Sequence, residues 1–187
     1  VAAHDIGVGA NGVICVAAGK SVYRWTGTQW GRMPGAAERV AVDPDGNPWV
    51  VRPDHTIARW QGGQWQTLPG TANDIGISSE GAVWITGSDQ RADGCSVFRW
   101  KNNNWAWVAG RATRLAVNSD GTPLKVNPDH WTRDTRTRQW RNSGGEATDI
   151  AASLNGSRWA LRSSDYPGRQ NLMYWIEGKW ITMAGQG

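Results

Sequence analysis

An apolar run recurs five times along this 187-residue chain, as DIGVG (5–9), RVAVD (39–43), DIGIS (74–78), RLAVN (114–118) and DIAAS (149–153). The starts are separated by 34, 35, 40 and 35 residues. No other feature constrains the fold as tightly. A repeat of this length is one supersecondary unit, too small to bury its own apolar faces, so it must stack on its neighbours.

Each unit has the same internal order. The first run ends in a turn carrying Gly12, Gly46, Gly81, Gly121 or Gly156, in Asn-Gly, Asp-Gly or Glu-Gly pairs that favour tight hairpins. A second strand follows: VICVA, PWVVR, VWITG, PLKVN or RWALR. A polar loop leads to a third: SVYRW (21–25), TIARW (56–60), SVFRW (96–100), WTRDT (131–135) or LMYWI (172–176). A fourth opens with Trp30, Trp65, Trp105, Trp140 or Trp180, and the unit closes with Pro-Gly or a similar small-residue pair. Four strands per unit without helices predict an all-β fold, a β-propeller of five four-stranded antiparallel blades of about 35–40 residues. The blades lie at approximately 3–37, 38–72, 73–112, 113–147 and 148–187 of a single domain.

Composition agrees: 24 Gly and 14 Trp against 1 Phe and 3 Tyr favour short strands and tight turns over helices. The net charge of +4 is dispersed, with no basic stripe for nucleic acid. No apolar run approaches the ~20 residues of a membrane-spanning helix, so no membrane insertion is expected. The chain begins at Val1 and reads as a trimmed product; a secreted or extracellular address is slightly favoured. Cys15 and Cys95 fall in non-adjacent units and are expected to be free thiols. Asn155-Gly156-Ser157 reads as turn chemistry rather than a glycosylation site, and Asp43-Pro44-Asp45-Gly46 as a turn rather than a calcium loop.

A two-unit period overlies the five. Units 1, 3 and 5 open with Asp5, Asp74 and Asp149; units 2 and 4 open with Arg39 and Arg114 and share Pro-Asp-His, with Asp54-His55 and Asp129-His130. If the first strands line a channel, Asp and Arg alternate around its rim. An odd count breaks the alternation where Asp149 meets Asp5 without an Arg between. The long loops 88–95 and 163–171 lie at equivalent places, where binding variety accumulates.

The repeat resembles the tectonin family of β-propeller lectins. The resemblance rests on the apolar first strand with its Gly turn, the second-strand Trp49, Trp84 and Trp159, the Arg-Trp third strand and the closing Trp30…Pro34-Gly35 and Trp65…Pro69-Gly70. It implies a multivalent sugar binder, with ligands such as lipopolysaccharide, acetylated amino sugars, methylated glycans and other microbial surface glycans, in a ring that is typically six-bladed. This chain has five repeats. It departs at Cys15, where the second-strand Trp belongs, at Leu124, Asp134 and Thr135 in unit 4, and at Tyr174 in unit 5.

No His, Cys or acidic constellation suggests catalysis or a metal, and no cofactor is implied. The tryptophans are the rich material. Those of the second strand are expected in the core. The outer Trp25, Trp60, Trp100 and Trp175, with Arg24, Arg59 and Arg99, are the candidate ligand-binding residues, since a sugar presents both an apolar face and hydroxyls. Each outer Trp should also lock against the Trp five residues on, across a hairpin. Pockets between blades, repeated around a ring, would give avidity on a glycan surface. Those edged by unit 2 are the most complete and those edged by unit 4 the least. The alternative is a non-catalytic scaffold for protein–protein interaction.

Overall fold

The computed structural model describes residues 2–127, 131–134, 141–153, 155–163, 170–176 and 179–183. Asp129, His130, Thr135, Trp140 and most of the 163–171 loop lie outside the described residues. Among the described residues every regular element is a β-strand, and no helix is long and apolar enough to cross a membrane.

Unit 1 folds as β1 (Asp5–Val8), β2 (Ile14–Ala18), β3 (Ser21–Trp25) and β4 (Trp30–Ala36), antiparallel in that order. Unit 2 is β5 (Arg39–Val42), β6 (Pro48–Val51), β7 (Thr56–Gln61) and the first half of β8 (Gln64–Ile77). The second half of β8 opens unit 3, which continues as β9 (Val83–Gly87), β10 (Cys95–Lys101) and β11 (Asn104–Ala112). Unit 4 is β12 (Arg114–Val117), β13 (Pro123–Val126), β14 (Trp131–Asp134) and β15 (Arg141–Glu146). Unit 5 is β16 (Asp149–Ala152), β17 (Arg158–Ser163), β18 (Gln170–Ile176) and β19 (Lys179–Thr182).

The expectation of five separate four-stranded sheets is corrected at one junction. Among the described residues there are four hydrogen-bonded sheets, of four, seven, four and four strands, because β8 belongs to two units. Its small linker, Ala72-Asn73, stays extended, and Ala72 pairs with Gly87 across a register shift, so the strand runs on instead of ending.

The turns behave as their sequences dictate. All five first-turn glycines have φ between 78° and 85°. The loops between third and fourth strands tighten to two residues in units 2 and 3. Gly62-Gly63 (φ 61° and 80°) and Asn102-Asn103 (φ 52° and 57°) are left-handed at both positions, as a type I′ hairpin turn requires. This sets Trp60 directly opposite Trp65 and Trp100 opposite Trp105. The four outer pairs, including Trp25–Trp30 and Trp175–Trp180, meet edge to face at 4.7–5.4 Å.

Neighbouring units pack face to face, and one detail of the closing Pro-Gly explains how. Opposite Ser21/Val22 and Thr56/Ile57 the ladder shifts register, so Pro34-Gly35 and Pro69-Gly70 are β-bulges rather than terminal turns. The bulge frees the proline carbonyl from the ladder, and the next unit claims it. The Trp65 indole N–H donates to Pro34 O at 2.6 Å, and Trp105 to Pro69 O at 2.8 Å. Beneath each clamp lies an aliphatic seam. Cys15, Ala17, Val22 and Met33 of unit 1 meet Val40, Val42, Val50 and Ala58 of unit 2. Equivalent seams join units 2 to 3, 3 to 4 and 4 to 5.

The join between units 5 and 1 is different. Val40, Val42, Ile75, Leu115, Val117 and Ile150, which seal the other seams, are 3–7% exposed. Their counterparts Ile6 and Val8 are each 61% exposed.

Gly35 sits with φ 88°, and a Cβ there would stand 3.2 Å from the Trp65 indole nitrogen. Gly35→Ala is therefore expected to lower stability by about 1–3 kcal/mol, through the strained backbone and the displaced clamp. Urea unfolding followed by Trp fluorescence measures it. Gly27→Ala, with φ 97° and open space around it, carries the backbone strain alone and should cost less.

Candidate functional site

The outer third strand alternates, so Arg and Trp of each Arg-Trp pair leave the sheet on opposite faces. Arg24, Arg59 and Arg99 face the following unit; Trp25, Trp60 and Trp100 face the preceding one. The interfaces of units 1 with 2 and 2 with 3 thus combine the Arg of one unit with the Trp of the next.

At the interface of units 2 and 3 this is fully assembled. The Arg59 guanidinium lies 5.7 Å from the centre of the Trp49 ring, and its Nε donates to Gln66 Oε1 at 3.1 Å. Trp49 in turn meets Trp100 edge to face at 6.0 Å. Trp100 and Trp105 are half-buried against the same seam. Arg59 and Trp100 are thereby brought to one site. Between units 1 and 2, Cys15 replaces the bridging Trp: it pairs across the strand with Arg24, and Trp60 packs on its seam. Arg99 stacks over Trp84 at 5.6 Å, facing unit 4. Trp175 is half-buried and takes the Arg158 guanidinium at 5.8 Å. Trp25, at 38% exposed, faces the open side of unit 1.

The second-strand tryptophans divide as expected for two of three. Trp49 and Trp84 are buried, and their indole N–H groups donate to Asp43 Oδ2 (3.4 Å) and Gly121 O (3.1 Å). Trp159 is only half-buried, because among the described residues no unit covers that face. Trp107 was not among the expected site residues, yet at 64% it is the most exposed large apolar side chain described. Its signal is its departure from the repeat. The residue two places after the fourth-strand Trp is Arg32, Thr67, Asn142 or Thr182 elsewhere. A Trp outside every repeat column has no shared packing role.

The first strands line a cavity of about 380 Å³, to which all five units contribute. Its rim carries the alternating charges. Asp5 Oδ2 accepts the Val40 N–H of the next unit at 2.7 Å, and Asp74 Oδ2 accepts the Leu115 N–H at 2.7 Å. These amides belong to the free edges of inner strands, and the carboxylates satisfy them. Arg39 Nε lies 3.8 Å from Asp74 Oδ1. Burial pushes the Asp74 carboxyl up to about 7, against the opposing pull of Arg114, the Leu115 N–H and Arg39. Asp5 is raised too, by burial first and by the Asp149 charge across the open join, against Val40 N–H and Arg39. No side chain of the rim is placed as a nucleophile, and among the described residues no group of three His, Cys, Asp or Glu could hold a metal ion.

A family model for the tectonin domain matches residues 2–166. No curated protein matches significantly. Among solved structures, the fold is similar to YCF48 bound to D1 peptide, at 15% identity and TM-score 0.57, over 97% of this chain and 66% of that one. It is also similar to regucalcin, a calcium-binding protein from Agrobacterium tumefaciens, at 13% and 0.67, over 94% of this chain and 71% of that one. A chain of the mitotic checkpoint complex gives 11% and 0.65, over 95% and 78%. At these identities the likeness concerns the fold alone. It places the structure among β-propeller-like proteins, and this chain spans 66% of the length of the first.

Folded Asp74 holds its proton to higher pH than the unfolded chain does, so stability falls as pH rises from about 4 to 7. The melting temperature is expected to be at least about 4 °C higher at pH 5 than at pH 8. Asp74→Asn keeps an acceptor for Leu115 and should flatten this dependence. An unchanged pH profile in that variant would place the effect elsewhere.

Proposed function

Because the chain belongs to the tectonin-domain family, we propose that it is a non-catalytic, multivalent carbohydrate-binding protein. Its five repeats act as five four-stranded blades around one axis, with sugar sites at the edges between blades. The observation that carries this reading is the assembly of Arg59, Trp49 and Trp100 across the second and third blades. Half-buried indole offers the apolar face of a sugar a stacking partner, and the guanidinium and Gln66 offer its hydroxyls donors and an acceptor. Arg24 with Trp60 forms the second such edge. Trp107 adds an exposed indole at the rim of the third blade. The edge formed by Arg99 faces the fourth blade, whose repeat has Thr135 at the outer Trp position and is the weakest candidate. Several weak sites on one rigid body suit a glycan-coated surface, where avidity multiplies them.

A second reading is a protein-interaction scaffold. It is favoured by the similar structures, one bound to a peptide and one part of a multiprotein complex, and by the apolar faces exposed on units 1 and 5.

Glycan-array binding at high protein density distinguishes the two. Arg59→Ala and Trp100→Ala are each expected to reduce the signal at least about tenfold, the scale of one lost stacking or charge-assisted contact amplified by avidity. Trp107→Ala measures the rim site separately. Absence of any glycan signal for the unaltered protein would rule out the carbohydrate reading.

A further inference from the structure

Arg39, Arg114 and the Pro53-Asp54-His55 loop are marks of the Arg-led units in the sequence, and none of them belongs to the edges between blades. The structure brings them together. Arg39 and Arg114 open the first strands of units 2 and 4, at the end of the axis where the loops between second and third strands emerge. A cavity of about 520 Å³ lies there, separate from the one between the first strands. Its wall carries Lys20 of unit 1, Arg39, Arg52 and His55 of unit 2, and Arg114 of unit 4. Glu38 is the one carboxylate among its described lining residues, so four permanent cations face a single anion.

The protein does not spend these charges on itself. Arg39 Nε is buried and makes no hydrogen bond, since Asp74 Oδ1, at 3.8 Å, is beyond hydrogen-bond reach. Burial pushes the Asp74 carboxyl up to about 7, so it offsets Arg39 and Arg114 incompletely at neutral pH. Arg114 Nη1 donates to the Thr113 carbonyl at 3.1 Å, and Arg52 Nη1 to the Thr56 and Thr67 hydroxyls at 3.4 and 3.2 Å. Among the described residues no carboxylate lies within ion-pair distance of Lys20, Arg52 or Arg114. The His55 Nδ1–H donates to Ala72 O at 3.2 Å, which turns Nε2 to outside partners. Lys20 (φ 64°) and His55 (φ 67°) also hold left-handed backbone; the other described non-glycine residues that do so form the Asn102-Asn103 hairpin turn. Such conformations are costly and concentrate at functional sites.

We propose that this cavity binds one small organic phosphate monoester, of the size of a sugar phosphate, between Arg39, Arg52, Arg114 and Lys20. The planar guanidinium fork matches phosphate oxygens and keeps its charge at every physiological pH. A phosphate monoester carries a charge of about −1.5 to −2 near neutrality, which answers the excess positive charge of the wall better than a single carboxylate does. The volume lies within the range of small-molecule sites and exceeds what a bare phosphate ion fills. The rest of the described wall includes Val51 and Pro53 and, apart from the His55 imidazole, no aromatic ring on which a nucleobase would stack. The inference is independent of the carbohydrate reading, since it uses neither Arg59 nor Trp100.

Isothermal titration of the full chain with glucose 6-phosphate tests this. One equivalent should bind with a Kd of about 1 mM or tighter. Inorganic phosphate should displace it while binding more weakly, and glucose should not displace it. Arg52→Gln and Arg114→Gln should each weaken binding at least about tenfold, the scale of one lost charge-assisted contact. Lys20 is exposed, so Lys20→Gln should fold as the unaltered protein does and still weaken binding. Glu38→Gln should tighten it. Lys101→Gln removes the same charge from an exposed hairpin outside the cavity and should change nothing. Absence of saturable binding overturns the proposal. So does displacement by glucose, which would put the ester at a sugar site, or inorganic phosphate binding as tightly as the ester. Equal weakening by Lys101→Gln and Arg52→Gln would reduce the effect to diffuse charge and overturn it as well.

Discussion

The structure depends on contacts between sheets more than within them. A four-stranded sheet of this size has two apolar faces and cannot hide either, so its stability resides at its joins with its neighbours. Each of the four sealed joins has an aliphatic seam near the axis, and the joins of units 1 to 2 and 2 to 3 add an indole clamp near the rim. The clamp needs a carbonyl that the sheet itself does not use. A Pro-Gly bulge supplies it, and the next unit's Trp65 or Trp105 takes it. Asp5 and Asp74 do the corresponding work at the axis, capping the free edges of the following strands. Both devices point the same way along the row of units, so units 2, 3 and 4 are each half of two interfaces.

That directionality also organises the candidate binding edges. Arg and Trp neighbours in sequence part to opposite faces, and reunite as Arg59 with Trp100 only because units 2 and 3 stack. A ligand at such an edge touches two units, so binding and the stability of the join are coupled. The same stacking places Trp25 at the open gap, in surroundings unlike those of Trp60 and Trp100.

Much of this was legible in the sequence. The five runs, their Gly turns and the Trp pairs five residues apart gave the strand order and hairpin register, because turn chemistry and period-two alternation are local. The alternation of Asp5, Arg39, Asp74 and Arg114 placed an acidic mismatch at one join, and Asp149 does act on Asp5 there. The continuity of β8 was hidden, since Ala72-Asn73 carries no signal for extending rather than ending a strand. Pro34-Gly35 and Pro69-Gly70 read only as the closing residues of their units. Their role as bulges depends on which residue lies opposite, and their carbonyls matter only through a neighbour 31 or 36 residues away. The exposure of Ile6 and Val8 was hidden, for they look like any core pair until nothing among the described residues is found to cover them.

Exchange of the indole N–H protons, followed residue by residue by NMR in the folded protein, tests the account of the joins most directly. The account predicts that Trp65 and Trp105 are protected at least about a hundredfold relative to an unfolded chain, because the clamp must open before they exchange. Trp30, exposed on the open side of unit 1, should exchange as freely as an exposed indole. Equal protection of Trp30 would contradict an open join, and rapid exchange at Trp65 and Trp105 would contradict the clamp itself.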